Sequence, residues 1–232
     1  MNHAAWTVEH PVPGLRLHQP ARSFRYAAEA FWLVGLALEG GVPPRALDLG
    51  TGSGILAALL AAQGAEVLGV DRHPGWSEGW QRTLGDSRLA GRLTLEVADV
   101  ATLRRDPVDL VVSNPPFFAA SAGPVSSDPL RASARTESTA PLAAFVACAC
   151  RHLLPGGRAC LVVPRAREEE LLDGVPAGYG ARRRLRVGRV RSLVVLAPGA
   201  ASCAPEQLDD RGPEVAAWYA RARAVAPGPA RG

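Results

Sequence analysis

Four consecutive residues, Asn114-Pro115-Pro116-Phe117, carry the most specific chemistry in this chain. Both prolines lack a backbone donor and fix φ, so the segment cannot extend a sheet and stands as a stiff rim at a strand's end. An asparagine side-chain carbonyl and a proline backbone carbonyl can together accept the two hydrogens of one NH2 group. That grip suits an exocyclic amine on a nucleobase, whose lone pair is delocalised into the ring and is a poor nucleophile. Holding both hydrogens pushes the nitrogen toward tetrahedral geometry and aims the lone pair at an electrophilic methyl. Phe117 would stack on the ring, as flipped or single-stranded bases require. Alignment supplies most of the acceleration in such a transfer, so no strongly shifted pKa is needed. The plain alternative is a proline-rich strand exit with a buried phenylalanine.

A second constellation precedes it. Gly50, Gly52 and Gly54 follow the short apolar run Ala46-Leu47-Asp48-Leu49 and open a helical stretch, Ile55–Gln63. Glycines at such a turn let a ligand approach the backbone, next to the unpaired N–H groups of a helix start. Gly52-Ser53-Gly54-Ile55-Leu56-Ala57 fits a dinucleotide turn. Gly50-x-Gly52-x-Gly54 after Asp48 fits S-adenosylmethionine binders equally well, and a tight turn with no ligand is the bland option. Asp71, ending the next strand, could accept two ribose hydroxyls from either cofactor. Asp99 is placed to accept from an adenine amine or, equally, to cap a turn.

Positioning these groups takes alternating elements. The pattern predicts a helix from Phe24 to Leu38 capped by Ser23, then strands at Ala46–Leu49, Val67–Val70, Leu93–Val97, Val108–Val112 and Ala159–Val163. Helices are expected near 55–63, 76–84, 142–154 (closed by Pro155-Gly156-Gly157) and 166–172. Residues 119–140 read as a loop. Arg184–Val187 and Leu193–Leu196 lie close enough for an antiparallel edge hairpin. The expected fold is α/β, a mostly parallel seven-stranded sheet with helices on both faces and ligands at the strands' carboxyl ends.

Composition narrows the chemistry. Of 232 residues 47% are hydrophobic and 21% charged, and mean hydropathy is +0.03, which indicates a globular chain. All 26 basic residues are arginine, so a phosphate-loop lysine, a Schiff base and a lysine general base are excluded. The net charge of +4 permits a nucleic-acid partner without requiring one. The four cysteines and five histidines lack metal spacing, so no metal is expected. Apolar runs at 30–38 and 55–62 are too short to span a bilayer, and the start lacks a secretory pattern, so the expected location is the cytosol.

Asp48 to Gly54, Asp71, Asp99 and Asn114 to Phe117, in this order, resemble a class I S-adenosylmethionine-dependent methyltransferase of the amino-methylating group. Leu17-His18-Gln19-Pro20 with Phe24 to Ala30, the segment Arg131 to Glu137, and Leu208 to Glu214 resemble the bacterial valine-tRNA adenine-N6 methyltransferases. The resemblance implies S-adenosylmethionine as cofactor, held by Glu29, Asp48, Gly50, Gly52, Gly54, Asp71, Asp99 and Asn114. It implies Asn114, Pro115, Pro116 and Phe117 as the catalytic motif and tRNA as partner. Residues 1–22 would be an N-terminal extension and 23–232 the methyltransferase domain. Glu29 replaces the family's usual aspartate and Ala27 its glycine, and Trp76, Gly79 and Trp80 stand where an alanine-rich helix with an asparagine is expected.

Other acceptors compatible with the motif are an rRNA guanine or a protein glutamine. A non-catalytic RNA-binding module of this fold would accommodate the departures. A nicotinamide-dependent oxidoreductase matches the glycine loop but has no use for Asn114 to Phe117. Arg131 and Arg135 are placed to reach substrate, and Arg184 and Arg186, within the cluster Arg182 to Arg191, either contact RNA phosphates or form a solvated edge. Glu168, Glu169 and Glu170 are expected on an exposed helix face, and His152 as a cation at a helix end.

Overall fold

Short runs of leucine and β-branched residues, each closed by glycine, an acid or proline, become strands, and the alanine- and leucine-rich runs between them become helices. The computed structural model describes residues 6–21, 26–87, 89, 91–116, 118–119, 136–137 and 141–225. A hairpin comes first, β1 (Trp6–Glu9) antiparallel to β2 (Leu17–Pro20). Parallel strands β3 (Arg45–Leu49), β4 (Glu66–Asp71), β5 (Leu93–Val97) and β6 (Val108–Ser113) follow. Two-residue strands β7 (Phe118–Ala119) and β8 (Thr136–Glu137) pair with each other in parallel. Then come β9 (Leu153–Pro164), β10 (Tyr179–Val187), β11 (Arg191–Pro198) and β12 (Glu206–Leu208). The main sheet runs β5-β4-β3-β6-β9-β11-β10-β12, with β11 antiparallel to both neighbours. All seven expected strands lie in it, and β12 adds an eighth, parallel to β10.

Alternate residues of each central strand point to opposite faces. Ala46, Leu110, Val112, Cys160 and Val162 pack under α1 (Ala28–Ala37), α2 (Ile55–Ala62) and the C-terminal α6 (Pro213–Arg223). Leu47, Leu49, Val111, Leu161 and Val163 pack under α4 (Leu142–Arg151) and Leu171 of α5 (Glu168–Asp173). The remaining helix, α3 (Ser77–Asp86), carries the β1–β2 hairpin, since Thr83 Oγ1 accepts from His18 N at 2.9 Å. Helix α1 meets α6 so closely that a Cβ on Gly35 would strike the Trp218 backbone.

Several local expectations change. Helix α1 begins at Ala28 without a side-chain cap, and the expected cap Ser23 lies outside the described residues. Helix α4 stops at Arg151 because Leu153 already pairs with Val108, so Pro155-Gly156-Gly157 falls inside β9, beside a register shift between Val108 and Leu110. Helix α6 was not expected, although Val215, Trp218 and Ala222 repeat at helical spacing and are all buried.

Glu168 and His152 reverse their predicted roles. Glu168 is fully buried, its carboxylate taken by Arg184, Arg186 and Ser192. His152 is also buried, and burial pulls its pKa below the ordinary imidazole value, which favours the neutral ring over a cation. Its Nε2 accepts from Arg105 N at 3.2 Å, which leaves Nδ1–H to donate to the Cys148 carbonyl at 2.8 Å.

Among the described residues no helix is long and apolar enough to cross a membrane, and no three His, Cys, Asp or Glu side chains group to hold a metal.

Candidate active site

Strand order reverses at β3, whose neighbours are β4 and β6, and a cleft opens there at the strands' carboxyl ends. Its empty volume is about 840 Å³, counting the open space at its mouth. Its walls are Gly50 to Ser53 after β3, Asp71 ending β4 with Arg72 after it, Ala98 and Val100 after β5, and Asn114 and Pro116 after β6. Tyr26, Ile55, Leu56, Trp76 and Phe145 complete it.

The glycine loop is held from behind by Asp48. Its Oδ2 accepts from Thr51 Oγ1 at 2.6 Å and from Ala57 N at 3.1 Å, one turn into α2. Gly69, opposite Asp48 on β4, has no Cβ because Thr51 Oγ1 and Leu95 fill that space. Burial pushes the Asp48 carboxyl up to about 7 against the lowering pull of those two bonds, and nearby Asp71 adds to the rise. Asp48 therefore shapes the loop and does not itself line the cleft. Gly54 caps α2 at φ 87, a left-handed conformation that side chains avoid.

Asp71 faces inward. Its Oδ2 accepts from Gly52 N at 3.0 Å and its Oδ1 from His73 N at 2.9 Å, so each oxygen retains a lone pair for a ligand hydroxyl. Burial raises its pKa, opposed by those same two amides. Trp80 Nε1 donates to the Gly52 carbonyl at 2.8 Å, and Trp76, 2% exposed, lies four residues before it on the cleft side.

Asn114 stands on the opposite wall, its Oδ1 buried and, among the described residues, without a hydrogen-bond partner. Buried polar atoms are normally satisfied, so an acceptor left open at the lip of a cleft marks where a donor belongs. Pro115 is buried. The Pro116 carbonyl accepts from Arg167 NH1 at 3.3 Å.

A family model described as a methyltransferase domain matches residues 46–126. A Porphyromonas gingivalis protein named tRNA1(Val) (adenine(37)-N6)-methyltransferase is 34% identical over 66% of this chain, a match spanning 62% of its own length. The Tolumonas auensis protein of the same name is 32% identical over 66% of this chain and 67% of its own. The chain belongs to this methyltransferase family. A predicted O-methyltransferase from Agrobacterium tumefaciens, 20% identical, superposes with a TM-score of 0.60 over 86% of this chain and 99% of its own, which matches the fold alone.

Within this family's motifs, the residues expected at the site divide. Gly50, Gly52, Asp71, Asn114 and Pro116 line the cleft together. Asp99 does not line it: its Oδ1 caps a turn by accepting from Ala101 N at 2.8 Å, while its neighbours Ala98 and Val100 form the wall. Glu29 is engaged by Arg191 at 2.8 Å, away from the lining. Phe117, Arg131 and Arg135 lie outside the described residues.

Arg184 and Arg186 need correction as free substrate contacts. Their guanidinium groups lie on Glu168 and Glu169, with Nε to Glu168 oxygens at 2.7 Å in both cases. Sequence reasoning missed Tyr26, Trp76 and Phe145 as cleft walls.

Proposed function

We propose that this chain transfers the methyl group of S-adenosylmethionine to the N6 amine of an adenine in tRNA. The observation that carries the reading is Asn114 Oδ1, a buried acceptor with no hydrogen-bond partner among the described residues, on a residue that lines the cleft with Asp71 and the glycine loop. The cleft suits the cofactor: the glycine turn admits close approach, Asp71 offers lone pairs to a ribose, and Ala98, Val100, Ile55 and Leu56 offer apolar walls to a purine. S-adenosylmethionine, when bound, supplies a methyl carbon made electrophilic by its sulfonium.

The chain's own residues then do the aligning. Asn114 Oδ1 accepts one hydrogen of the amine and the Pro115 carbonyl the other, because the Pro116 carbonyl is already engaged by Arg167. Phe117 stacks on the base. The amine lone pair, released from the ring by this grip, points into the cleft; the new N–C bond replaces the methyl's bond to sulfur, whose electron pair stays on the sulfur as a neutral thioether leaves, and the nitrogen gives its extra proton to water. The glycines Gly50, Gly52 and Gly54 with Asp71 hold the cofactor, and Asp48 and Asp99 shape the loops around it. The valine-tRNA names of the relatives support the acceptor class, and a tRNA acceptor goes with a cytosolic site of action.

The test incubates the protein with methyl-labelled cofactor and separated tRNA, rRNA and protein fractions, then identifies modified nucleosides by mass spectrometry. N6-methyladenosine in tRNA is expected. Label confined to a protein amide or to guanine would overturn the acceptor. Asn114→Ala should abolish transfer while changing the affinity for S-adenosylhomocysteine by only about a few-fold.

A further inference from the structure

A pair of prolines offers no N–H groups, so a rim built from them can be tied to the protein only through its carbonyls. One of these carbonyls is tied. Arg167, in the short turn Arg165–Arg167 after β9, donates from NH1 to the Pro116 carbonyl at 3.3 Å, across 51 residues of chain. Its Nε donates to Glu170 Oε2 at 2.8 Å and its NH2 to Glu170 Oε1, a two-point grip that fixes the guanidinium plane. The Arg167 side chain is 14% exposed, and its hydrogen bonds hold the Glu170 carboxyl below the usual carboxylate range.

The turn is anchored in its own right. Arg165 N donates to Val190 O at 2.9 Å, and Glu168, the next residue after Arg167, is buried on Arg184, Arg186 and Ser192 of β10 and β11. A continuous set of polar contacts therefore runs from the sheet's antiparallel edge, through α5, to the lip that carries Asn114.

We propose that Arg167 is a positioning residue for methyl transfer. It holds the Pro116 carbonyl so that the Asn114 and Pro115 acceptors stay aligned with the cleft, and Glu170 holds Arg167. This rests on the amine-methylating reading above. Lysine at 167 can reach one partner at a time but cannot span both. A displaced rim misaligns the nucleophile without disturbing the glycine loop or Asp71, so the defect belongs to the transfer step. Misplacement of about 1 Å at such a site can cost on the order of 10²-fold in rate.

The experiment measures single-turnover transfer to unmodified tRNA at saturating cofactor, with S-adenosylhomocysteine affinity and thermal midpoint recorded alongside. Arg167→Ala should lower the transfer rate by about 10- to 100-fold, leaving cofactor affinity and the tRNA concentration dependence within about 3-fold. Arg167→Lys should recover part of the loss, and Glu170→Gln should fall between. Transfer at the wild-type rate by Arg167→Ala, or a loss that tracks cofactor affinity, would overturn the proposal. If the wild type transfers nothing to tRNA, the acceptor reading fails on its own. Hydrogen exchange in the peptide 108–119 then decides the role of Arg167. Exchange about 10-fold faster in Arg167→Ala supports the tie, and unchanged exchange overturns it.

Discussion

Trp80 donates its indole N–H to the backbone carbonyl of Gly52, 2.8 Å away, so the helix after Asp71 braces the apex of the glycine loop. The substitution that looked like a departure from the family pattern therefore reinforces the loop. Trp80→Phe keeps most of the ring volume and removes only the donor. A neutral hydrogen bond contributes about 1 kcal/mol, so titration calorimetry should find S-adenosylhomocysteine bound about 3- to 10-fold more weakly. Unaltered affinity would mean that Gly52 needs no brace.

Asp48 makes stability depend on pH in an unusual direction. Its folded pKa is raised to about 7 by burial, far above the unfolded carboxylate value, so between those limits the native state binds a proton that the unfolded chain lacks. Its contribution is therefore fully present at low pH and is lost as pH rises toward 7. Over that window the change amounts to about 3–4 kcal/mol. Urea midpoints of the wild type relative to Asp48→Asn, compared at pH 5 and pH 7.5, should show the wild type losing ground at the higher pH. Parallel profiles would place the Asp48 pKa near its ordinary value.

How much of this was legible in the chain depends on the range of the interaction. Glycine turns, strand ends and the Asn114 to Pro116 rim follow from local backbone rules, and the cleft forms where those rules put it. Arg184 was ambiguous because alternation marks which face a side chain takes but not what it meets there. Its partner Glu168 lies 16 residues upstream on α5, and no local pattern joins the two. Arg167 and Pro116, 51 residues apart, were hidden for the same reason. Trp76 and Phe145 were readable as apolar, but the chain does not say whether an apolar residue faces core or ligand.

Gly50 joins loop geometry to the α4 side of the core. Its φ is 70°, and a Cβ there would sit 2.9 Å from Phe145 Cε1. Gly50→Ala should cost about 1–3 kcal/mol, from the left-handed backbone and the contact with the ring. Phe145→Leu in the same background should return the steric part and leave the backbone part. In a double-mutant cycle by chemical denaturation the two changes should couple by at least about 0.5 kcal/mol. Simple additivity would show that the ring does not restrict position 50.

The Glu168 cluster gives the sharpest contrast between scaffold and substrate contact. The Glu168 side chain is 0% exposed, and although burial alone would raise its pKa, bonds from Arg186, Ser192 and Arg184 hold it below the ordinary value. Its stabilising contribution is thus present above the unfolded carboxylate pKa and is lost as pH falls through the folded one. Arg184→Gln strands part of a buried charge and should cost about 2–4 kcal/mol in urea unfolding, whereas Arg189→Gln, exposed on the neighbouring turn, should cost less than about 0.5 kcal/mol. An RNA-backbone contact behaves differently: its loss lowers the slope of log affinity against log salt by about one unit and spares stability. Arg184→Gln should leave that slope unchanged for tRNA. A reduced slope at wild-type stability would return Arg184 to the substrate surface and remove it from the scaffold.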